Sequence, residues 1–184
     1  MDWEKLTDDV VAAATAAFGS LISEKSDEHF YAFALYTDGD AETILPSANS
    51  IERYEAKLRE TGETDKLQIA SNKWATAEWD YEAWNKKLFT GIYRDLEKHK
   101  KTLSESEVVF ASYKNSVHEC MIAALKRMDE NGFFAKGREH ITLFISSSDD
   151  DEAFDMENQS AKRLNPEQVY LSFLKRYGDD SSES

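Results

Sequence analysis

Trp3, Leu6, Val10, Ala14, Phe18 and Leu21 recur every three to four residues, the spacing of one buried face of a helix. The period then changes. Between His29 and Tyr36, Phe30, Ala32 and Ala34 alternate with Tyr31, Phe33 and Leu35. Both faces are apolar, which predicts a central strand covered on two sides. Asp38-Gly39 supplies a turn tolerant of positive φ, so Glu42 to Leu45 is expected to return as the second strand of a hairpin, stopped by Pro46. Ser50 to about Glu60 reads as a charged helix closed by Thr61-Gly62, with Ile51, Tyr54 and Leu58 turned inward. Lys66 to Ile69 reads as another short strand.

Two long helices are expected next. The first spans Ala77 to Lys100, with Thr76 as N-cap, Glu78 and Asp80 in its first turn, and a buried stripe of Tyr81, Trp84, Leu88, Ile92 and Leu96. The second opens on Ser104 and Glu107 as a capping box with Leu103 stapled to Val108. Its stripe is Val109, Tyr113, Val117, Cys120, Met121, Ala124 and Met128, and Asn131-Gly132 ends it. Ile141 to Ile145 is a further strand and runs into a polar loop, Ser146 to Glu152. Asn165, Pro166 and Gln168 announce a last helix, with Leu164 stapled to Val169. Helices that are partly grouped, not strictly alternating with strands, predict an α+β fold: a small, mainly antiparallel sheet of about three to five strands packed by roughly four or more helices. Residues 1–177 are expected to form a single domain, and 178–184 a disordered acidic tail.

Charge narrows the possible partners. A net charge of −14 repels phosphate backbones, and no Lys/Arg stripe offsets it, so nucleic-acid binding is not expected. The same field attracts a basic protein partner. Cys120 is the only cysteine, which excludes an internal disulfide and a multi-cysteine metal site. Met1-Asp2-Trp3-Glu4-Lys5 lacks the basic start of a signal peptide, and no apolar run is expected to approach the ~18 residues that span a bilayer. A cytoplasmic location is the expectation.

No complete catalytic kit appears. His118-Glu119-Cys120 superficially resembles a zinc-deaminase signature, but the required second cysteine is missing and helix geometry points His118 away from Cys120. Asp38-Gly39-Asp40-Ala41-Glu42 has the glycine and glutamate in the wrong places for an EF-hand. No Gly-x-Ser-x-Gly elbow, phosphate loop or dinucleotide fingerprint is present. No cofactor or metal is expected. The candidate binding residues are Trp74, Glu78 and Trp79 in a Trp-rich stretch, whose tryptophans read first as core anchors and otherwise as an exposed aromatic surface, and the acidic Asp149, Asp150, Asp151 and Glu152. The leading expectation is a non-enzymatic, immunity-type protein that engages a basic partner such as a toxin domain. The alternative is an enzyme or small-molecule binder whose site is assembled from distant residues, with Glu78 and His99 or His140 as its groups.

Three stretches carry a family resemblance: Phe30-Tyr31-Ala32-Phe33-Ala34-Leu35-Tyr36-Thr37-Asp38, Pro46-Ser47-Ala48-Asn49-Ser50, and Lys73-Trp74-Ala75-Thr76-Ala77-Glu78-Trp79. Together they resemble a bacterial family known as domain of unknown function 4303. The resemblance implies a small bacterial cytoplasmic protein, associated with toxin–immunity loci, and supplies no catalytic residues.

Overall fold

The computed structural model describes residues 1–148 and 153–178. The expected acidic loop Asp149–Glu152 and the tail from 179 onward lie outside the described residues. Among those described, the chain forms an α+β fold built on a four-stranded mixed sheet whose strands lie in the order Tyr81–Glu82, Leu45–Ser50, Phe30–Thr37 and Thr142–Ser147.

Helix α1 (Trp3–Glu24) starts on Asp2, whose side chain accepts from the Lys5 amide. It buries Leu6, Val10, Ala13, Ala14, Ala17, Phe18 and Leu21. By length and composition α1 is apolar enough to cross a membrane, contrary to the expectation that no segment would be. That face instead belongs to the main core it shares with the sheet and with helix α5 (Glu107–Glu130).

Strand β1 (Phe30–Thr37) is central, as its two apolar faces require. It pairs antiparallel with β2 (Leu45–Ser50) and parallel with β4 (Thr142–Ser147). One face of the sheet, with Phe33, Leu35, Leu143 and Ile145, packs on the core made with α1 and α5. The other face, with Ala32, Ala34 and Phe144, is covered by Trp79, Ala161 and Phe173.

The hairpin exists but is displaced along the chain. The Asp38 carboxylate accepts from the Asp40 and Glu42 amides and the Thr43 hydroxyl, so the residues expected to begin the return strand are held as a loop. Pro46 lies inside β2, not beyond it. It is tolerated near the strand's start because the two-residue β3 (Tyr81–Glu82) pairs only with Ser47 and Ala48.

Helix α2 (Ile51–Thr61) has the expected limits: Ser50 accepts from the Arg53 amide, and Gly62 closes it at φ 62°. The segment expected as a strand at Lys66–Ile69 is helical instead, within α3 (Lys66–Trp74). The Asp65 side chain caps it by accepting from Gln68 N, a local signal that outweighs the β-forming character of Ile69.

The helix expected over Ala77–Lys100 is broken. Two 3-10 turns, Thr76–Glu78 and Lys86–Phe89, flank β3, and only α4 (Thr90–Lys100) remains α-helical. Ala83 and Asn85 take positive φ, at 52° each, which no α-helix can include. The indoles explain the break: Trp79 packs with the second core, whereas Trp84 packs against the first and donates from Nε1 to Ser20 Oγ of α1 at 3.1 Å.

Two smaller expectations fail at helix starts. Helix α5 begins after Ser106 with no side-chain cap, and Val108 is 79% exposed, so no staple to Leu103 forms. Asn165 does not cap α7 (Glu167–Leu174) either, because it is already engaged with β4. The helix α6 (Ala153–Leu164), which precedes it, was not anticipated from the sequence.

Candidate functional site

The Trp-rich stretch does form a cluster. Trp74 ends α3, and both it and Trp79 converge on Tyr31 of β1, with ring centroids 5.5 and 6.5 Å away. Trp74 also meets Phe173 at 5.1 Å, and Trp79 meets Phe144 at 5.7 Å. The Lys73 carbonyl ties them together, accepting from Trp79 Nε1 at 2.9 Å and from the Tyr31 hydroxyl at 2.6 Å. Trp79 is 3% exposed and is therefore a core residue, which corrects its candidacy as a docking residue. Its one polar atom has found a carbonyl, so nothing opposes burying the ring. Glu78 is exposed and held by Lys57 Nζ at 2.7 Å.

Trp74 is half-buried and lines a cleft of about 480 Å³ with Tyr31, Tyr54, Lys73 and His140. The Lys73 ammonium stands 5.7, 5.6 and 5.3 Å from the ring centres of Tyr31, Tyr54 and Trp74. Rings supply a cation with an attractive quadrupole, but they replace water poorly. Among the described residues Lys73 forms no ion pair, and burial lowers its pKa. The sequence reading missed this box because Tyr31, Tyr54 and Lys73 come from three separate elements.

The groups of the enzymatic alternative are not assembled. His99 stacks edge-on against Trp3 at 5.7 Å, with its pKa lowered by burial. His140 lies 3.8 Å from Glu139, and among the described residues no contact joins Glu78 to either histidine. Nor is any group of three or more His, Cys, Asp or Glu side chains there arranged to hold a metal ion.

A second surface feature lies between α1 and α5. Trp3, Thr7, Val108, Ala111, Ser112 and Asn115 line an apolar trough of about 820 Å³. Small side chains on α5 leave room there, and Val108 stands almost fully in solvent at the N-terminal end of that helix. Charges ring the trough: Glu4, Glu119 and Arg127. Glu119 accepts a two-point bond from Arg163 at 2.6 and 2.7 Å, which holds its carboxyl below the ordinary range. Arg127 is taken by Asp8 at 2.5 Å, and Glu4 forms no ion pair among the described residues. Cys120 lies at the trough's edge with its thiol pKa raised by burial, consistent with a packing role.

The sequence pattern of the family described as Domain of unknown function (DUF4303) matches residues 10–166. The chain belongs to the DUF4303 family. The match takes in the whole sheet, the Tyr31–Trp74–Trp79 corner and the α5 wall of the trough, whereas Trp3 precedes it. No curated protein and no solved structure shows significant similarity to this DUF4303 chain.

Proposed function

We propose that this DUF4303 protein is a non-enzymatic binding protein that docks a basic protein partner on the α1–α5 trough, in the manner of an immunity protein that neutralises a basic toxin domain. The observation that carries the reading is the trough itself: an apolar floor, an exposed Val108 and a Glu4 with no ion pair among the described residues, on a molecule of net charge −14. Protein interfaces combine a desolvated apolar centre with a polar rim. The long-range field raises the encounter rate with a cationic partner, and the apolar floor then slows its departure. The Trp-rich corner, the first expectation for an anchor, has Trp79 sealed inside and Trp74 packed on Phe173, so Trp3 and Val108 replace it.

The test is recovery of the tagged protein with its bound partners from extracts of its native cells, beside the variant Val108→Arg. The substituted position is already solvent-exposed, so the fold tolerates the change. The reading expects a basic protein that co-purifies with the wild type and is lost with the variant. Equal recovery of the same proteins by both would refute it.

A further inference from the structure

A second cleft, of about 730 Å³, opens between the C-terminal end of α1, the start of β1 and the segment before β4. We infer that it binds a small amphipathic anion: an apolar chain carrying one carboxylate, the fatty-acid class.

The interior is hydrocarbon. Phe30, Phe33, Phe133 and Phe134 line it, with Phe33 set 5.2 Å from Phe134 and Phe133 edge-on to Phe134 at 4.9 Å. Ile22 and Ile51, also in the lining, are 38% and 46% exposed, although both are large aliphatic side chains. The volume lies within the few-hundred to ~1,000 Å³ of small-molecule pockets, whose usual make-up is apolar walls with a few charges to fix orientation.

The charged groups along this cleft select the sign of the ligand. Lys25 and Lys136 both line it, and neither forms an ion pair among the described residues. Of the acidic groups there, Glu28 accepts from the Tyr81 hydroxyl at 2.6 Å and the Ser50 hydroxyl at 2.5 Å, and its charge is met by Arg53 Nε at 3.9 Å. His29 is bound to Glu52 at 2.6 Å and His140 lies beside Glu139 at 3.8 Å. Among the described residues, that leaves the Lys25 and Lys136 ammonium groups without an ion pair against one such carboxylate in the lining, Asp27, on a protein that is strongly acidic as a whole. An anionic head group at the mouth meets the lysines while its chain displaces water from the phenylalanines. The inference stands independently of the partner-binding proposal, because the trough and this cleft share no residue.

The probe is sodium decanoate, titrated below its micellar concentration into protein labelled at isoleucine δ-methyl groups. Saturable one-to-one shifts are expected at Ile22, Ile51 and Ile141, which line the cleft, and not at Ile92 of α4. The double variant Lys25→Glu/Lys136→Glu should weaken decanoate about tenfold, on the scale of surface charge pairs. Decyltrimethylammonium, with the same chain and opposite charge, should bind more weakly than decanoate. Shifts that never saturate, equal affinity for the two amphiphiles, or an unchanged affinity in the double variant would each overturn the inference. So would shifts of the same methyl groups with protein concentration alone, which would assign the cleft to a second copy of the chain.

Discussion

The Asn165 side chain pairs with the backbone of Leu143 as a neighbouring strand would. Its Oδ1 accepts from Leu143 N at 2.8 Å, and its Nδ2 donates to Leu143 O at 2.6 Å. Because β4 is an edge strand, these groups would otherwise have no partner, and Leu143 is fully buried. Ser160 of α6 extends the device by accepting from Ile145 N at 3.0 Å. Asn165→Ala should therefore cost about 2–6 kcal/mol, the sum for two buried backbone groups left unsatisfied. Urea unfolding measures the loss, and hydrogen exchange at the Leu143 amide should accelerate while that at β1 amides changes less.

Behind the same edge sits a buried ion pair. Arg176 Nη2 donates to Glu157 Oε2 at 2.9 Å, while Glu157 Oε1 accepts from Ser146 Oγ at 2.6 Å. The guanidinium has no exposed side-chain surface and lies 4.0 Å from the ring centre of Phe173. Removing one partner leaves the other charge buried alone, so Arg176→Met should destabilise the protein by about 3–5 kcal/mol. The double variant Glu157→Gln/Arg176→Met should recover part of that loss. A double variant as unstable as the sum of the two single changes would show that the two groups are not coupled.

Lys73 gives a prediction with a definite pH dependence. Burial lowers its pKa from the ordinary 10.5, so the folded state favours the neutral amine. Folding stability therefore rises as the pH climbs from the lowered value toward 10.5, and at pH below that window the buried charge is a cost. Lys73→Met fills the same space among Tyr31, Tyr54 and Trp74 without the charge. It should stabilise the protein at pH 8 by less than about 1 kcal/mol, a figure kept small because the group is only partly shielded from water. The gain should fade as the pH approaches 10.5. A loss of stability at pH 8 would mean that ring attraction to the ammonium outweighs its desolvation.

These contrasts show which physical signals the sequence carried. Periodicity located α1, β1 and β4 because each has one continuous environment along its length. Ser50 and Gly62 bounded α2 through local backbone chemistry. The segment from Thr76 to Phe89 failed for the opposite reason: its aromatic spacing resembles a helical stripe, yet Trp79 and Trp84 serve cores on opposite faces of the sheet. Asn165 was legible as a polar residue before Pro166, but only the packed fold shows that its side chain serves β4 and not a helix start. The site candidates divide in the same way. Trp74 and Trp79 were recognised as a cluster, whereas the trough depends on Trp3 and Val108, about a hundred residues apart in the sequence, a long-range pairing of the kind that local pattern does not report.

A basic partner drawn to the acidic surface and seated on the trough should show itself in its association kinetics. The deciding measurement is the association and dissociation rate of the co-purified partner as a function of ionic strength, for wild type and Val108→Arg. The wild-type on-rate should fall steeply with added salt, and the variant complex should dissociate faster. An on-rate insensitive to salt, together with an unchanged off-rate in Val108→Arg, would contradict this docking.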